Sequence, residues 1–160
     1  MSATAIDNGE RGTELLGGIL ERMGIEATIE LKEEDDRLVL DVQCASEDDV
    51  QLVIGRRGQV VDALQHLVSK MLVKHRPEGA ERGKPVVVDA GGYRAKHVER
   101  LGGLAMRMAD KAKESGKPVD LSPMSAFDRR IVHMALAEIE GVKTESEGEG
   151  DLRHIVVIPA

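Results

Sequence analysis

Two glycines enclose two arginines at Gly55-Arg56-Arg57-Gly58, where one apolar helical pattern ends and another begins. Glycine at each end permits positive φ angles and a close approach of the backbone to a ligand, so that consecutive N–H groups can face an anion. The arginines add charge that does not titrate at neutral pH, and the helix after Gly58 adds the positive end of its dipole. The pattern predicts a phosphate-binding turn, although the spacing alone fits a plain helix–helix connector equally well.

The composition limits the remaining classes of protein. A chain of 160 residues with 41% hydrophobic and 32% charged side chains fits one medium domain or two small ones. The single cysteine, Cys44, excludes an internal disulfide and a thiolate metal cluster, and the five histidines show no ligand spacing. No apolar run approaches the roughly 18 residues of a membrane span, and residues 1–11 lack the apolar core of a signal peptide. We therefore expect a cytoplasmic protein without a metal, a cofactor or a membrane span.

Charge is distributed unevenly along the chain. The net charge is −7, but residues 1–50 carry 14 acidic and 4 basic side chains, whereas residues 51–133 carry 16 basic and 9 acidic ones. A basic segment next to an acidic one is compatible with nucleic-acid binding. Tyr93 and Phe127 are the only aromatic residues, which argues against a platform that stacks several bases. Backbone, charge and aliphatic contacts are expected instead.

The apolar periodicity of the first half predicts an order of helix, strand, strand, short helix, glycine turn, long helix and strand. Ser46 and Asp49 form the capping box of the short helix, and the long helix has Gln65, Lys70 and Lys74 on its polar side. The expected elements are helix 15–23, strands 27–31 and 38–42, a short helix up to residue 54, helix 60–72 and strand 85–89.

This order resembles the prokaryotic, type II KH domain. In that family the Gly-x-x-Gly turn contacts the backbone of a single strand, and the adjoining helices and strand form an apolar groove for about four nucleotides. The resemblance covers about residues 12–89. It implies that the nucleic-acid contacts come from the residues at the motif positions, Ile54, Gly55, Arg56, Arg57 and Gly58.

The second half predicts a long helix over residues 93–115, a short strand at 119–121 and another helix. Ser122 is the expected N-cap of that second helix, with Pro123 as its first residue and Gly141 as its cap at the other end. Strands are expected at 142–146 and 152–158. The apolar residues that the second helix is expected to bury are Phe127, Ile131, Met134 and Ala135.

Arg129 and His133 stand one helical turn apart on that helix. Side chains at this spacing are neighbours, so they can present a guanidinium and an imidazole to one anion. An exposed basic pair on a solvated helix is the alternative, and spacing alone favours it.

The segments 121–124, 129–136 and 144–149 resemble the domain named for its Arg-x-x-x-His motif, which binds single-stranded nucleic acid. A type II KH domain followed by that domain is the architecture of the Jag family, also called KhpB or EloR, bacterial RNA-binding proteins associated with the membrane insertase. The resemblance implies that Arg129 and His133 form the motif pair, with Arg130, Arg153 and the turn at Ser146 as further candidates. It also implies a small KhpA-like KH protein as partner, an indirect association with the insertase, and a role as a regulator or RNA chaperone in envelope or cell-shape control.

We therefore predict a two-domain α+β protein that binds single-stranded RNA without chemical turnover. Residues 1–11 are expected to be a flexible N-terminus, residues 12–90 the KH domain with a three-stranded sheet packed by helices, and residues 91–160 a small α/β domain with a helix-linked three-stranded sheet. One alternative is an adaptor that docks another KH protein. The other is a phosphodiester hydrolase in which His133 acts as general base and Arg129 stabilises the oxyanion.

Overall fold

The structure is a computed structural model that describes residues 3–160, with side chains from residue 8 onward. It divides into two compact units, the first ending at Tyr93 and the second comprising Arg94–Ala160. Five helices and six strands follow one another within the described residues. In chain order they are α1 (Ala3–Arg22), β1 (Ala27–Glu33), β2 (Leu38–Cys44), α2 (Glu47–Ile54), α3 (Gln59–Lys74), β3 (Val86–Ala90), α4 (Tyr93–Ser115), β4 (Val119–Asp120), α5 (Ala126–Leu136), β5 (Val142–Glu147) and β6 (His154–Pro159).

The first unit is a three-stranded sheet in the order β1-β2-β3, with β1 and β2 antiparallel and β2 and β3 parallel. The alternation of β2 turns Leu38, Leu40 and Val42 toward the helices, where each is almost fully buried. α1 and α3 cover this face and complete one apolar core. The predicted hairpin, glycine turn and third strand are thereby confirmed as a mixed α+β fold.

α1 is longer than its apolar periodicity predicted, because the helix begins at Ala3. Residues 3–11, which we expected to be a flexible N-terminus, are helical, whereas residues 1 and 2 lie outside the described part. Two buried glycines explain how this segment lies against the sheet. A Cβ on Gly9 would stand 2.7 Å from Leu31 Cδ2, and one on Gly12 would stand 3.1 Å from Leu40 Cδ1. The sequence analysis looked for apolar side chains and therefore overlooked a contact made by their absence.

Gln65 joins α3 to the outer edge of β3. Its Nε2 donates to the carbonyl of Val86 at 2.5 Å, and its Oε1 accepts from the amide of Val88 at 2.5 Å. The side chain is half-buried, so its assignment to the polar face of α3 was wrong. The primary amide suits this position because it offers one donor and one acceptor to two backbone groups at the edge of the sheet.

The second unit is a three-stranded antiparallel sheet in the order β4-β6-β5, with α4 and α5 supplying the helical part of its core. β6 is the central strand, and its Ile155 and Val157 are fully buried. α4 contributes Ala105, Ala109 and Ala112, whose small side chains are also fully buried. This arrangement confirms the predicted sheet linked to helices.

α5 begins at Ala126 rather than at Pro123, and its N-cap is Ser125 instead of Ser122. The Ser125 hydroxyl accepts from the amide of Asp128 at 3.1 Å. Residues 121–124 remain extended because the amide of Leu121 donates to Ile155 O at 2.9 Å and the amide of Met124 donates to Arg153 O at 3.1 Å. Pairing with distant residues therefore outweighs the local helix signal of Ser-Pro.

The later start also changes which residues of α5 are buried. Val132 and Leu136 face the core, whereas Phe127 is 63% and Met134 67% exposed, so the expectation that both are buried was wrong. Ile131 and Ala135 are half-buried. The helix ends at Leu136 with Ala137 as its C-cap, so Gly141 does not cap it, although its φ of 84° marks the turn into β5.

Candidate nucleic-acid interface

The turn between α2 and α3 has an unusual backbone. Gly55, Arg57 and Gly58 have φ angles of 72°, 56° and 76°, and Arg57 is the non-glycine residue with positive φ among the described residues. Residues Arg56–Gly58 form a single 3-10 turn, in which the amide of Gly58 donates to Gly55 O at 3.3 Å. An arginine in the left-handed region costs free energy that a glycine would not. Such strain is found preferentially at functional positions.

The two glycines serve the packing of the turn as well as its backbone angles. A Cβ on Gly55 would collide with Val60, including its backbone nitrogen at 2.9 Å. A Cβ on Gly58 would stand 2.5 Å from the Tyr93 hydroxyl oxygen and 2.6 Å from the nearest ring carbon. Both missing side chains would point into the protein. The glycines are therefore required for packing, in addition to any approach of a ligand.

The side chains of the turn divide into an anchor and a charged tip. Ile54 is half-buried and packs against the core, whereas Arg56 and Arg57 are exposed. The fixed backbone thus holds two guanidinium groups in solvent at adjacent positions. α3 starts directly after them, and the first amides of a helix have no partner within that helix. This arrangement can bind phosphate groups of a single strand by charge and backbone amides.

The predicted pair on α5 is anchored by partners within the second unit. Arg129 Nη1 donates to Met124 O at 2.8 Å, and His133 Nδ1 lies 2.6 Å from Thr144 Oγ1 on β5. Both side chains are half-buried. Each of them has polar atoms beyond these contacts, Nη2 and Nε on the guanidinium and Nε2 on the imidazole. The structure therefore gives both side chains a defined position on one helix.

Two weaker candidates of the sequence analysis meet next to this pair. Arg153 Nε donates to Ser146 Oγ at 2.9 Å. Ser146 follows Thr144 by two residues on β5, so their side chains lie on the same face of the strand. The sequence analysis missed Thr144, although the alternation of Thr144 and Ser146 with glutamates was a signal for a polar half-buried face. Arg130 is exposed.

Next to Arg153, His154 adds a titratable group. Its Nδ1–H donates to Leu152 O at 3.0 Å, and its Nε2 lies 3.2 Å from Asp120 Oδ1. The hydrogen bond to Leu152, followed by the interactions with Asp120, raises the pKa of His154 above its ordinary value. Positive charge on this imidazole consequently persists to a higher pH than for an isolated histidine.

The structure places all predicted site residues in two groups, one in each unit. Ile54, Gly55, Arg56, Arg57 and Gly58 belong to the first unit, and Arg129, Arg130 and His133 to the second. Within the described residues, no group of three His, Cys, Asp or Glu side chains is arranged to hold a metal ion. The described helices also include none that is both long and apolar enough to cross a membrane.

Both units match known protein families. The profile of the KhpA/KhpB KH domain matches residues 13–80, and that of the Arg-x-x-x-His domain matches residues 99–159. A protein of Clostridium symbiosum named RNA-binding protein KhpB is 32% identical over 148 residues, which are 92% of this chain and 64% of that protein. The protein of the same name from Bacillus subtilis is 38% identical over 108 residues, covering 66% of this chain and 50% of the relative.

The chain thus spans about half to two thirds of the length of these relatives. The two matched domains occur in the order that the sequence motifs predicted. Their positions coincide with the two compact units and with the two groups of candidate residues. The chain belongs to the KhpB (Jag) family, with a KH domain followed by an Arg-x-x-x-His domain.

Proposed function

We propose that this chain binds single-stranded RNA without chemical turnover, through the glycine turn of its KH domain and the polar group on α5 of its Arg-x-x-x-His domain. The exposed pair Arg56 and Arg57, held on a left-handed backbone between two glycines, is the observation that carries this proposal. The relatives that are named RNA-binding proteins support it. The two arginines contact consecutive phosphates, and Ile54 belongs to the apolar wall beside them.

Each unit contributes a different kind of contact in this proposal. The KH turn supplies charge on a rigid backbone, whereas Arg129 and His133 supply hydrogen-bond donors whose positions are fixed by Met124 and Thr144. Arg130 adds an exposed charge on α5. The resemblance to the family extends the proposal to a post-transcriptional role in the cytoplasm and to a KhpA-like partner. The links to the insertase, to RNA chaperoning and to cell shape stay predictions.

The double substitution Arg56→Asp and Arg57→Asp tests the proposal. Because both side chains are exposed, the fold should be retained, whereas two carboxylates facing phosphate should weaken binding of a labelled single-stranded RNA at least tenfold. Fluorescence anisotropy measures the affinity, and thermal unfolding followed by circular dichroism measures the fold. The control is Arg82→Asp with Lys117→Asp, two exposed residues whose reversal changes the net charge equally. Equal losses in both double variants would reduce the effect to net charge and remove the turn from the site.

The salt dependence of binding provides a second reading of the same interaction. Each phosphate neutralised on a single strand contributes about −0.7 to the slope of log affinity against log salt. Two engaged basic groups predict a slope between about −2 and −4 for the unmodified protein, and a shallower slope for the double variant. Cleavage of the RNA would favour the hydrolase, and a protein that neither binds nor cleaves RNA would favour the adaptor.

A further inference from the structure

α5 presents a second surface that the proposed contacts do not use. Phe127, Arg130 and Met134 follow one another at helical spacings of three and four residues, and all three are exposed. Residues at these spacings share one face of a helix. We call Phe127, Arg130 and Met134 the outer face of α5. It combines an aromatic ring, a guanidinium group and a thioether.

The fold of the second unit does not explain the position of Phe127. α5 is attached to the core by Val132 and Leu136, which are 0% and 2% exposed, and its first turn is capped by Ser125. Phe127 is 63% exposed, whereas the other aromatic residue, Tyr93, is buried at 9%. The ring therefore contributes little to the core while it remains in contact with water.

The surroundings of the ring are those of a polyanion site. Arg130 lies three residues further along the same helix, and Arg129 and His133 stand on the same element. The nearest acidic residue in sequence, Asp128, is engaged by His97, whose Nε2 lies 2.9 Å from its Oδ1. An exposed ring with guanidinium groups on one helix suits a nucleotide, whose base offers a flat π-face and whose phosphate offers charge.

A protein partner fits this surface less well. A stable protein interface covers roughly 800 Å² on each side, whereas Phe127 and Met134 are two side chains of which a fully buried aromatic contributes about 150–250 Å². Arg130 stands between them in sequence on the same face. Covering the two apolar residues with a protein would also remove its charge from water, which is unfavourable without a paired group.

We propose that Phe127 stacks on a nucleobase of the bound strand while Arg130 contacts the adjoining phosphate. This inference rests on the proposed RNA binding and deepens it, because it adds base contact to sites that otherwise contact backbone. It also corrects the expectation that no aromatic ring takes part. A single ring stacks one base without reading its sequence, since each base has a π-face.

The chain contains no tryptophan, so Phe127→Trp introduces a unique fluorophore at the proposed contact. The probes are an adenosine oligonucleotide of about 12 residues and a ribose–phosphate oligomer of the same length without bases. Stacking should quench the tryptophan emission on titration with the adenosine oligomer and leave it unchanged with the abasic one. In the otherwise unmodified chain, Phe127→Ala should weaken binding of the adenosine oligomer at least about fivefold. Affinity for the abasic oligomer should not change.

Phe127→Leu is the matched control, because it retains an apolar side chain without a π-face and should behave like the alanine variant. Unquenched emission together with undiminished affinity of Phe127→Ala for the adenosine oligomer would overturn the stacking contact while the proposed RNA binding stands. Failure of the unmodified protein to bind either oligomer would instead remove the proposed function itself, and this inference with it. An emission change that depends on protein concentration in the absence of oligomer would assign the outer face to self-association, and would also overturn the inference.

Discussion

The two arginines of the KH turn carry the same charge on different backbones. Arg57 has φ 56° and ψ 28°, in the left-handed region, whereas the positive-φ residues do not include Arg56. The left-handed conformation costs roughly 1–2 kcal/mol for a residue with a Cβ. The turn therefore places one of its two functional side chains at a position where glycine would be more stable.

This difference predicts opposite effects on stability for the same substitution. Arg57→Gly should leave the free energy of unfolding unchanged or raise it by up to about 1 kcal/mol, since relief of strain competes with the larger entropy of the unfolded chain. Arg56→Gly should lower it by about 0.5–1 kcal/mol. Both variants should bind RNA more weakly because each loses one guanidinium. Urea unfolding and anisotropy measure the two quantities, and a loss of stability in both variants would contradict the strain at Arg57.

At the scale of the elements, Gly58 connects the turn to the first residue of α4. A Cβ at this position would meet the Tyr93 hydroxyl and ring within 2.7 Å, whereas a Cβ at Gly92 would have no neighbour within 4 Å. Both glycines have similar φ angles, 76° and 65°. They therefore form a matched pair that differs in packing and not in backbone conformation.

Gly92→Ala should lower the free energy of unfolding by about 1–2 kcal/mol, the cost of a left-handed alanine. Gly58→Ala should lower it by about 1–3 kcal/mol more, because the added methyl group must displace the tyrosine ring. Chemical unfolding of both variants measures the difference. Equal losses would mean that Tyr93 gives way without cost, and that the turn does not depend on this contact.

Gln65 permits a similar test of the link between α3 and β3. In Gln65→Glu the carboxylate can still accept from the Val88 amide but cannot donate to Val86 O, so a half-buried carbonyl loses this hydrogen bond. We expect a loss of about 1–3 kcal/mol in the free energy of unfolding at neutral pH. Gln59→Glu makes the same chemical change at an exposed position of the same helix and should alter stability by less than about 0.5 kcal/mol. Similar losses in both would attribute the effect to charge.

The contrast between these elements shows what local sequence can predict. The β1–β2 hairpin and the glycine turn were predicted, because apolar alternation and glycine positions are properties of short segments. The start of α5 was not, because Ser122 and Ser125 are equally good caps and hydrogen bonds from Leu121 and Met124 to distant residues decide between them. The amide bridge of Gln65 and the exposure of Phe127 depend on tertiary contacts as well. The charged site residues were found because motifs are local, whereas Thr144 was missed because its partner His133 is on another element.

At the scale of the whole molecule, one chain carries two groups of candidate RNA-contacting residues. A strand long enough to reach both would make its second contact at a high effective concentration. Arg130→Asp should therefore weaken binding of a long oligonucleotide at least tenfold, and should have little effect on an oligonucleotide of about four nucleotides bound at the KH turn. Anisotropy with both lengths measures the ratio. The same loss at both lengths would show that the two domains do not share one strand.

The amide of Gln65 also has a consequence for how the protein meets other chains. The exposed edge of a sheet is a template on which a foreign strand can be added, in recognition as well as in aggregation. At β3 this template is already occupied, since Val86 O and Val88 N are bonded to a side chain of the same domain. A strand could be added there only by displacing Gln65. Any partner that extends the KH sheet would therefore have to approach from the side of β1.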